Sequence, residues 1–482
     1  MTTPEQDRPQ LDAYGSPLFA YQGDGTVRWN DGTSRALAFE AGQFPNGKII
    51  VVGRYNEVDH SMWFGGGGQS PEPDEFHGVT SEGWTLRSVG SFSSTNYLPR
   101  MRGTGSFDAF RLRQLDCDRV AGAAAIAEYR FGLVNFHFHG IRPATVERSG
   151  STHYLRGLPI PLRADSATVD AMIVPVEDSD ALHRRMITDK SCTVLAELIV
   201  PAMPGLELKD LTGAVGNLCT VLSVMRGTKV QWIYRNDWGS GIIRTTHRAG
   251  ITKAYSPLAP LDSGYESLAA SAQFIIDGLA AMESSSILKQ DPAVVDAYLD
   301  AKVEHDFLET RASKIALAIE KLKHAFLQSG AIPVEEFIAD DNAFKKLVPS
   351  IVEASLQALQ AGGISIEKAR LIAAHTKIYG LNRTGFRGVL KGLCKSSGLA
   401  VPSSEIELFI KCRDYLVHTG RFYYQSAIDE DRSKVPPAAT AFDEFCFMIS
   451  FLDRLFLKLF GYSGPYFDWR DFPDEDKRRD LA

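Results

Sequence analysis

Several common features are missing from this chain of 482 residues, and each absence argues against one class of protein. No window of about 18 residues is both apolar and free of charge, so a transmembrane helix is not expected. The first residues, MTTPEQDRPQLDAYG, lack the charged-then-apolar pattern of a secretory signal. The 6 cysteines are scattered, with no C-x-x-C pair and no zinc signature. Scattered thiols of this kind predict a reducing, cytoplasmic location.

Acidic residues are absent from one long stretch, residues 368–404, although the whole chain has a net charge of −7. Within it, four basic residues follow each other at four-residue intervals and so share one stripe of a helix: Arg383, Arg387, Lys391 and Lys395. Like charges at this spacing repel each other by a few tenths of a kcal/mol per pair. A basic stripe in an acidic chain predicts an RNA-binding surface, and the alternative is an ordinary solvated helix face.

The sequence changes pattern about halfway along. Residues 15–205 contain short alternating apolar runs separated by Gly, Pro, Asn and Asp, which predict an antiparallel β-sheet. One helix is predicted near residues 208–226, and two further strand-like runs follow it. After residue 262 only helical patterns remain. We therefore predict an α+β protein with a β-rich domain over residues 1–261, which senses or positions something, and an all-α bundle over residues 262–482.

One predicted helix of the second half, residues 404–419, contains the stretch KCRDYLVHTG, in which an arginine, an aspartate and a histidine lie within six residues. Asp414 and His418 are four residues apart, about 40° around the helix axis, so an ionised Asp414 would hold the imidazole. Arg413 and His418 are five residues apart, about 140° around the axis. They can meet if the arginine swings round the helix, or across an interface with a second copy. The plainer interpretation is a surface Asp–His pair beside an arginine that reaches solvent.

The stretch R-D-Y-L-V-H resembles the R-x(4–6)-H signature of the HEPN ribonuclease family, in which Asn, Asp or His usually follows the arginine. Three features carry the resemblance: Asp414 at the second position, LVH shortly before Gly420, and the place on the penultimate strong helix of a helical half. More diffuse similarity, in FHGVTSEGWTLRSVG, VGNLCTVLSVMRGTKVQWIY and RASKIALAIEKL, resembles the ApeA-like branch, which is associated with bacterial abortive infection against phage.

The resemblance implies an HEPN-like bundle that cleaves RNA, with tRNA as one candidate, without a metal or other cofactor. The 2′-hydroxyl would be the nucleophile, His418 the general acid and base, Arg413 the phosphate clamp and Asp414 the residue that orients the histidine. The family usually dimerises so that two Arg/His sets face one cleft. The resemblance therefore implies a homodimer or higher homo-oligomer, an antiviral role in the cytoplasm and a trigger of phage origin.

Two alternatives from other classes stay open. A degenerate bundle could dimerise and act only as a sensor or scaffold. A metal-dependent hydrolase could instead use His137 and His139, which stand two apart in NFHFHG and would share one face of a strand. No third or fourth metal ligand is recognisable in the sequence. A pair of exposed strand histidines is therefore the plainer interpretation of this motif.

Overall fold

The computed structural model describes most of the chain in ranges separated by gaps, namely residues 11–55, 73–90, 93–95, 106–119, 125–140, 142–148, 151–164, 167–250, 258–261, 268–285, 287–288, 291, 293–303, 306–330, 341–373, 385–425, 440–471 and 478–480. The chain divides into two compact units. The first comprises Met1–Ala280 with Lys302–Glu304, and the second Ala281–Ala301 with His305–Ala482. This division comes later in the chain than the predicted boundary at residues 261/262.

An antiparallel sheet of 15 strands dominates the first unit. In chain order the strands are β1 Phe19–Trp29, β2 Ser34–Gln43, β3 Ile49–Tyr55, β4 Pro73–Thr80, β5 Trp84–Val89, β6 Ser93–Thr95, β7 Ser106–Leu112, β8 Gln114–Arg119, β9 Glu128–Val134, β10 Arg142–Arg148, β11 Ser151–Ala164, β12 Ala167–Pro175, β13 Val194–Pro201, β14 Gln231–Trp238 and β15 Ile242–Arg248. Their order across the sheet is β10-β11-β12-β13-β9-β14-β15-β8-β5-β4-β1-β2-β3-β7-β6. The predicted β-rich, antiparallel first half is confirmed.

Alternation along the strands explains the core of this sheet. Successive side chains of a strand point to opposite faces, so every second residue can be buried. Val27 and Trp29 of β1 and Leu37 and Phe39 of β2 are buried in one hydrophobic cluster in this way. The residues between them in the sequence, such as Arg28, face the other way and are exposed.

Among the described residues, two helices lie wholly within the first unit. Helix α2, Leu208–Arg226, is where the sequence predicts it, packs on β11 and β14, and ends at Gly227 with a left-handed φ of 62°. A Cβ at Gly227 would lie 2.3 Å from the carbonyl oxygen of Leu258, so glycine is required there. The prediction of a single helix was wrong, because α1, Ser179–Asp189, precedes it. Only Met186 of α1 is buried, so the helix has almost no apolar periodicity to reveal it.

The helical second half is confirmed, and α3, Leu268–Ser284, crosses the division between the units. The later helices are α4 Ala293–Asp300, α5 Leu308–Gln328, α6 Asp341–Ala361, α7 Ile366–Ala373, α8 Phe386–Ser396, α9 Ser403–Thr419 and α10 Ala441–Leu459. Helix α5 packs against α4, α8, α9 and α10. Among the described residues, no helix combines the length and the apolar character needed to cross a bilayer.

The second unit is not purely helical, contrary to the prediction. Strands β16, Pro465–Phe467, and β17, Arg478–Asp480, form a small antiparallel sheet after α10. This terminal segment is rich in charge, yet Tyr466 and Trp469 are buried. Burial of two large aromatic side chains outweighs the cost of ordering the charged residues around them.

Candidate functional site

Helix α9 carries the predicted catalytic motif and forms for local reasons. Its buried residues are Ile406, Phe409, Cys412 and Leu416, at the spacing of one helical face. It ends at Gly420, whose φ of 70° is left-handed and whose N–H donates to the carbonyl of Leu416 at 2.9 Å. The motif residues therefore lie beside the buried face or in the last turn, and His418 is exposed.

Arg413 lies at the centre of a small ionic cluster. Its guanidinium donates to Oε1 of Glu320 on α5 and to Oδ1 of Asp414, each at 2.6 Å. Only 19% of the Arg413 side chain is exposed, and its buried Nε meets no acceptor among the described residues. Each of the two carboxylates thus accepts a charge-assisted hydrogen bond from the same guanidinium. The arginine is therefore held in one orientation by contacts within its own unit.

The first residue of α8 completes this cluster. The Arg413 guanidinium carbon lies 4.7 Å from the centroid of the Phe386 ring, within cation–π range. The ammonium of Lys323 lies 5.3 Å from the same centroid and forms an ion pair with Glu320. Two cations and two carboxylates thus meet around Phe386, so their formal charges cancel.

Asp414 does not orient His418 as predicted. Its carboxylate accepts the hydrogen bond from Arg413, and His418 makes no hydrogen bond or ion pair within the part of the chain that the structure describes. The reason is electrostatic, because a permanently charged, planar guanidinium is a stronger hydrogen-bond partner for a carboxylate than an exposed imidazole. The imidazole in the last turn of α9 is left open to solvent.

A buried carboxylate fixes the chain just beyond the motif. Glu444 of α10 is 1% exposed and accepts hydrogen bonds from the backbone N–H groups of Tyr423 and Tyr424, at 3.0 and 2.9 Å. Burial raises the pKa of Glu444, and these two N–H donors oppose the shift. Phe422, immediately before them, is fully buried. The chain just beyond α9 is therefore tied to α10 by two hydrogen bonds to one buried carboxylate.

The basic stripe lies on α8, which packs against α9. Arg387, Lys391 and Lys395 are all exposed, while Val389, Leu390, Leu393 and Cys394 form the buried face. Arg383 lies outside the described residues. Arg387 is not isolated from acids in space, because Glu407 of α9 lies 3.5 Å from it. The stripe therefore has two lysines toward its C-terminal end and a partly neutralised arginine at its start.

The two histidines proposed for a metal site belong to a different kind of cluster. Strand β9 ends at Val134 and Asn135 has a left-handed φ of 63°, so the predicted strand stops before His137. His139 is exposed, but His137 is buried and its Nε2 bonds Oδ1 of Asp180 on α1 at 2.7 Å. The prediction of two exposed strand histidines was therefore wrong for His137.

A third histidine joins this cluster from α1. The ring of His183 stacks on that of His137, with centroids 4.1 Å apart and planes 7° apart. Burial lowers the pKa of both, and that of His183 falls to about 4. Parallel stacked rings do not direct their nitrogens at a common point, and among the described residues no group of three or more His, Cys, Asp or Glu is placed to hold a metal ion.

Sequence reasoning missed the residues that surround Arg413 because they come from other helices. Glu320 and Lys323 are recognisable as an i, i+3 pair within RASKIALAIEKLK, but nothing local places them beside a residue 93 positions later. No pattern in the sequence indicated that Phe386, at the start of α8, would contact Arg413. The same holds for Glu444 on α10, which binds the chain just beyond the motif.

Comparisons of this chain with protein-family models, with curated proteins and with solved structures find no match.

Proposed function

We propose that this protein is a metal-independent endoribonuclease of HEPN type that acts in anti-phage defence. The observation that carries the proposal is the placement of Arg413 and His418 on one helix, with the arginine held in place and the imidazole exposed in the last turn. Metal-free RNA cleavage needs a group that transfers protons and a cation at the scissile phosphate. His418 and Arg413 supply these two groups.

In this mechanism the ribose 2′-hydroxyl attacks the adjacent phosphorus, and the P–O5′ bond breaks. An imidazole takes the 2′-hydroxyl proton, and an imidazolium protonates the departing 5′-oxygen. The guanidinium binds two phosphate oxygens as negative charge builds on the phosphorane. Arg413 and His418 diverge around α9, so the proposal includes a homodimer or higher homo-oligomer in which two motifs meet at one RNA.

The basic face of α8 suits the substrate. Lys391 and Lys395 are exposed on the helix next to α9, where they can contact RNA phosphates without reading sequence. Such contacts would hold a cellular RNA, with tRNA as one candidate, across the motif helix. Triggering by a phage component, in the cytoplasm, belongs to the same proposal.

The test is RNA cleavage by the purified protein in EDTA. Wild type should cleave total tRNA or structured RNA without added metal, whereas His418→Ala should be inactive and still folded. Arg413→Lys should also be inactive, because an ammonium does not reproduce the planar fork. His324→Ala is the matched control, an exposed histidine on α5 that should have no effect. Activity that requires Mg²⁺, or full activity of either motif variant, would contradict the proposal.

The ionic contacts of Arg413 favour a second candidate function. An arginine bound by two carboxylates and stacked on a phenyl ring is also what a purely structural arginine would look like. In that case the helical unit is a non-catalytic dimerising sensor or scaffold. Arg413→Ala would then destabilise the fold while no RNA cleavage is detected in any variant or condition.

A metal-dependent hydrolase built on His137 and His139 is not supported by the geometry. His137 is engaged by Asp180 and His183, and no metal-ligating group was found among the residues described. We do not propose this function.

A further inference from the structure

The first unit contains a cavity with a volume of about 1580 Å³. Its walls come from the short helical turn Leu11–Tyr14, the turn between β2 and β3, and the loop between α1 and β13. Ligand pockets commonly span about 300–1,000 Å³, so a metabolite of ordinary size would fit inside. None of the residues discussed for RNA cleavage lines this cavity.

The buried part of the lining holds a carboxylate. Glu197 of β13 is 9% exposed and accepts a hydrogen bond from the hydroxyl of Tyr234 at 3.0 Å. A carboxylate has about four lone-pair positions, so it can accept a further N–H or O–H from a ligand while keeping the tyrosine. Because Glu197 is largely buried, a ligand N–H that reaches it would form a charge-assisted hydrogen bond shielded from water.

Two aromatic pairs also line the cavity. Phe19 meets Tyr234 edge-on with centroids 4.9 Å apart, and Tyr14 lies 6.2 Å from Phe44. Phe19 and Tyr14 are only partly buried, so their rings remain accessible for stacking. The hydroxyl of Tyr14 is itself buried and meets no hydrogen-bond partner among the described residues. A planar polar ring would satisfy that hydroxyl and stack on these side chains.

The exposed part of the lining is positively charged. Its exposed basic residues are Lys48, Arg111, Arg113, Arg185 and Lys190, and its exposed acidic residues are Glu177 and Asp189. Arg185 and Asp189 pair with each other at 3.3 Å, and the remaining lining has four exposed basic residues and one exposed acidic residue, Glu177. Arginine and lysine at the mouth of a cavity attract phosphate.

We propose that this cavity binds a nucleotide. The base would lie against Tyr14 and Phe19, a ring or exocyclic N–H would donate to Glu197, and the phosphates would bind Arg111, Arg113 and neighbouring lysines. A nucleoside would contact only the aromatic rings and Glu197, and a free polyphosphate only the basic residues, whereas a nucleotide would contact both sets. The inference does not depend on ribonuclease activity, because it concerns a separate unit and a binding equilibrium.

The experiment is isothermal titration calorimetry on the full chain, with ATP, GTP, their monophosphates and NAD tested singly. Adenosine, guanosine and pyrophosphate are the half-ligand controls. At least one nucleotide should bind with a Kd below about 1 mM, the usual upper range for small metabolites, and more tightly than its nucleoside or pyrophosphate. Absence of saturable binding by every nucleotide in this range would overturn the proposal.

Variants then place the binding in this cavity. Arg111→Ala with Arg113→Ala should weaken nucleotide binding about tenfold or more, and Arg142→Ala, an exposed arginine elsewhere on the sheet, should leave it unchanged. Tyr14→Phe should weaken binding while the thermal stability holds or rises, since an unpaired buried hydroxyl is removed. Unchanged affinity in both cavity variants would contradict the proposal.

A last variant separates this site from the helical unit. Arg413→Ala should leave nucleotide affinity unchanged. If nucleotide binding is lost in Arg413→Ala and retained in the cavity variants, the nucleotide binds at the motif helix and the inference is wrong.

Discussion

The guanidinium of Arg413 and the carboxylate of Glu320 are joined by a 2.6 Å hydrogen bond between α9 and α5. A phosphate clamp needs uncompensated positive charge, yet this arginine faces two carboxylates. In the proposed mechanism an RNA phosphate must compete with Glu320 for the same N–H groups. The ion pair holds the arginine in place, and under the proposed mechanism it would also restrain cleavage until RNA displaces Glu320.

Glu320→Gln should raise RNA cleavage. The amide oxygen still accepts a hydrogen bond from Arg413 but no longer neutralises it, so phosphate binding becomes easier by up to about 1 kcal/mol, or about fivefold in kcat/KM. The control is Glu309→Gln, an exposed acid on the same helix with the same charge change. A loss of activity in Glu320→Gln that tracks a loss of folded protein would instead mark the arginine as structural.

Most helices and strands could be predicted from local patterns, because apolar residues recur about every 3.6 residues in a helix and every two residues in a strand. The α9 helix, its end at Gly420 and the exposed basic face of α8 could all be predicted in this way. The contacts of Arg413 with Glu320 and Phe386 could not, because they depend on how α5, α8 and α9 pack. The pairing of Asp414 with Arg413 was a choice between two local partners that spacing alone did not decide.

Two further misses also have physical causes. Strand β9 ends at Val134 because the next residue, Asn135, has a left-handed φ of 63°. The conformation of one residue cannot be recognised from the spacing of apolar residues in the sequence. Pro349 lies inside α6, although a proline in a sequence usually predicts a break or kink in a helix. Proline removes one intrahelical hydrogen bond, but packing of an amphipathic helix can offset that cost.

Substitution of Lys391 and Lys395 by Ala together should weaken binding to all RNAs alike. Each lost phosphate contact on a single strand reduces the log–log salt slope by about 0.7, so the pair should reduce it by about 1.4. Arg387→Ala should have a smaller effect, because Glu407 already offsets its charge. Fluorescence anisotropy between low and moderate salt measures the slope. Lys209→Ala with Arg142→Ala is the charge-matched control in the other unit, and a wild-type slope for the stripe variant would place the RNA elsewhere.

Asp468 should make the second unit sensitive to acid. Burial alone would raise its pKa, but hydrogen bonds from Arg470 outweigh burial and lower the pKa to about 2. A carboxyl with a lowered pKa stabilises the fold above its ordinary pKa, and that stability is lost as pH falls from about 4 to about 2. The contribution is about 2 kcal/mol. Asp468→Asn should therefore lower the free energy of unfolding at pH 7 and flatten its dependence between pH 4 and 2. A variant that retains the wild-type acid dependence in urea unfolding would contradict this assignment.

The stacked pair His137 and His183 should make the stability of the first unit depend on pH, at higher pH values than those at which Asp468 acts. Burial, with the nearby charges of His137 and Arg226, lowers the pKa of His183 to about 4, although Asp180 opposes the shift. A histidine whose pKa is lowered in the folded protein binds its proton more readily in the unfolded chain. The free energy of unfolding therefore falls as pH falls from about 6.5 to 4. His183→Gln should reduce the difference in urea midpoint between pH 7 and pH 5, and His153→Gln, a histidine on β11 outside the stack, should not. Equal pH dependence in wild type and His183→Gln would rule out the stacked pair as the titrating group.

The most direct measurement for the central claim is the chemistry of the RNA ends. Attack by the 2′-hydroxyl leaves a 2′,3′-cyclic phosphate and a 5′-hydroxyl, whatever RNA is cut and whatever triggers the protein. RNA treated with wild type in EDTA should therefore carry 2′,3′-cyclic phosphate ends by mass spectrometry, and RNA treated with His418→Ala should carry none. Ends with a 3′-hydroxyl and a 5′-phosphate, or cyclic phosphate ends formed equally by His418→Ala, would contradict the assignment of Arg413 and His418 as the catalytic pair.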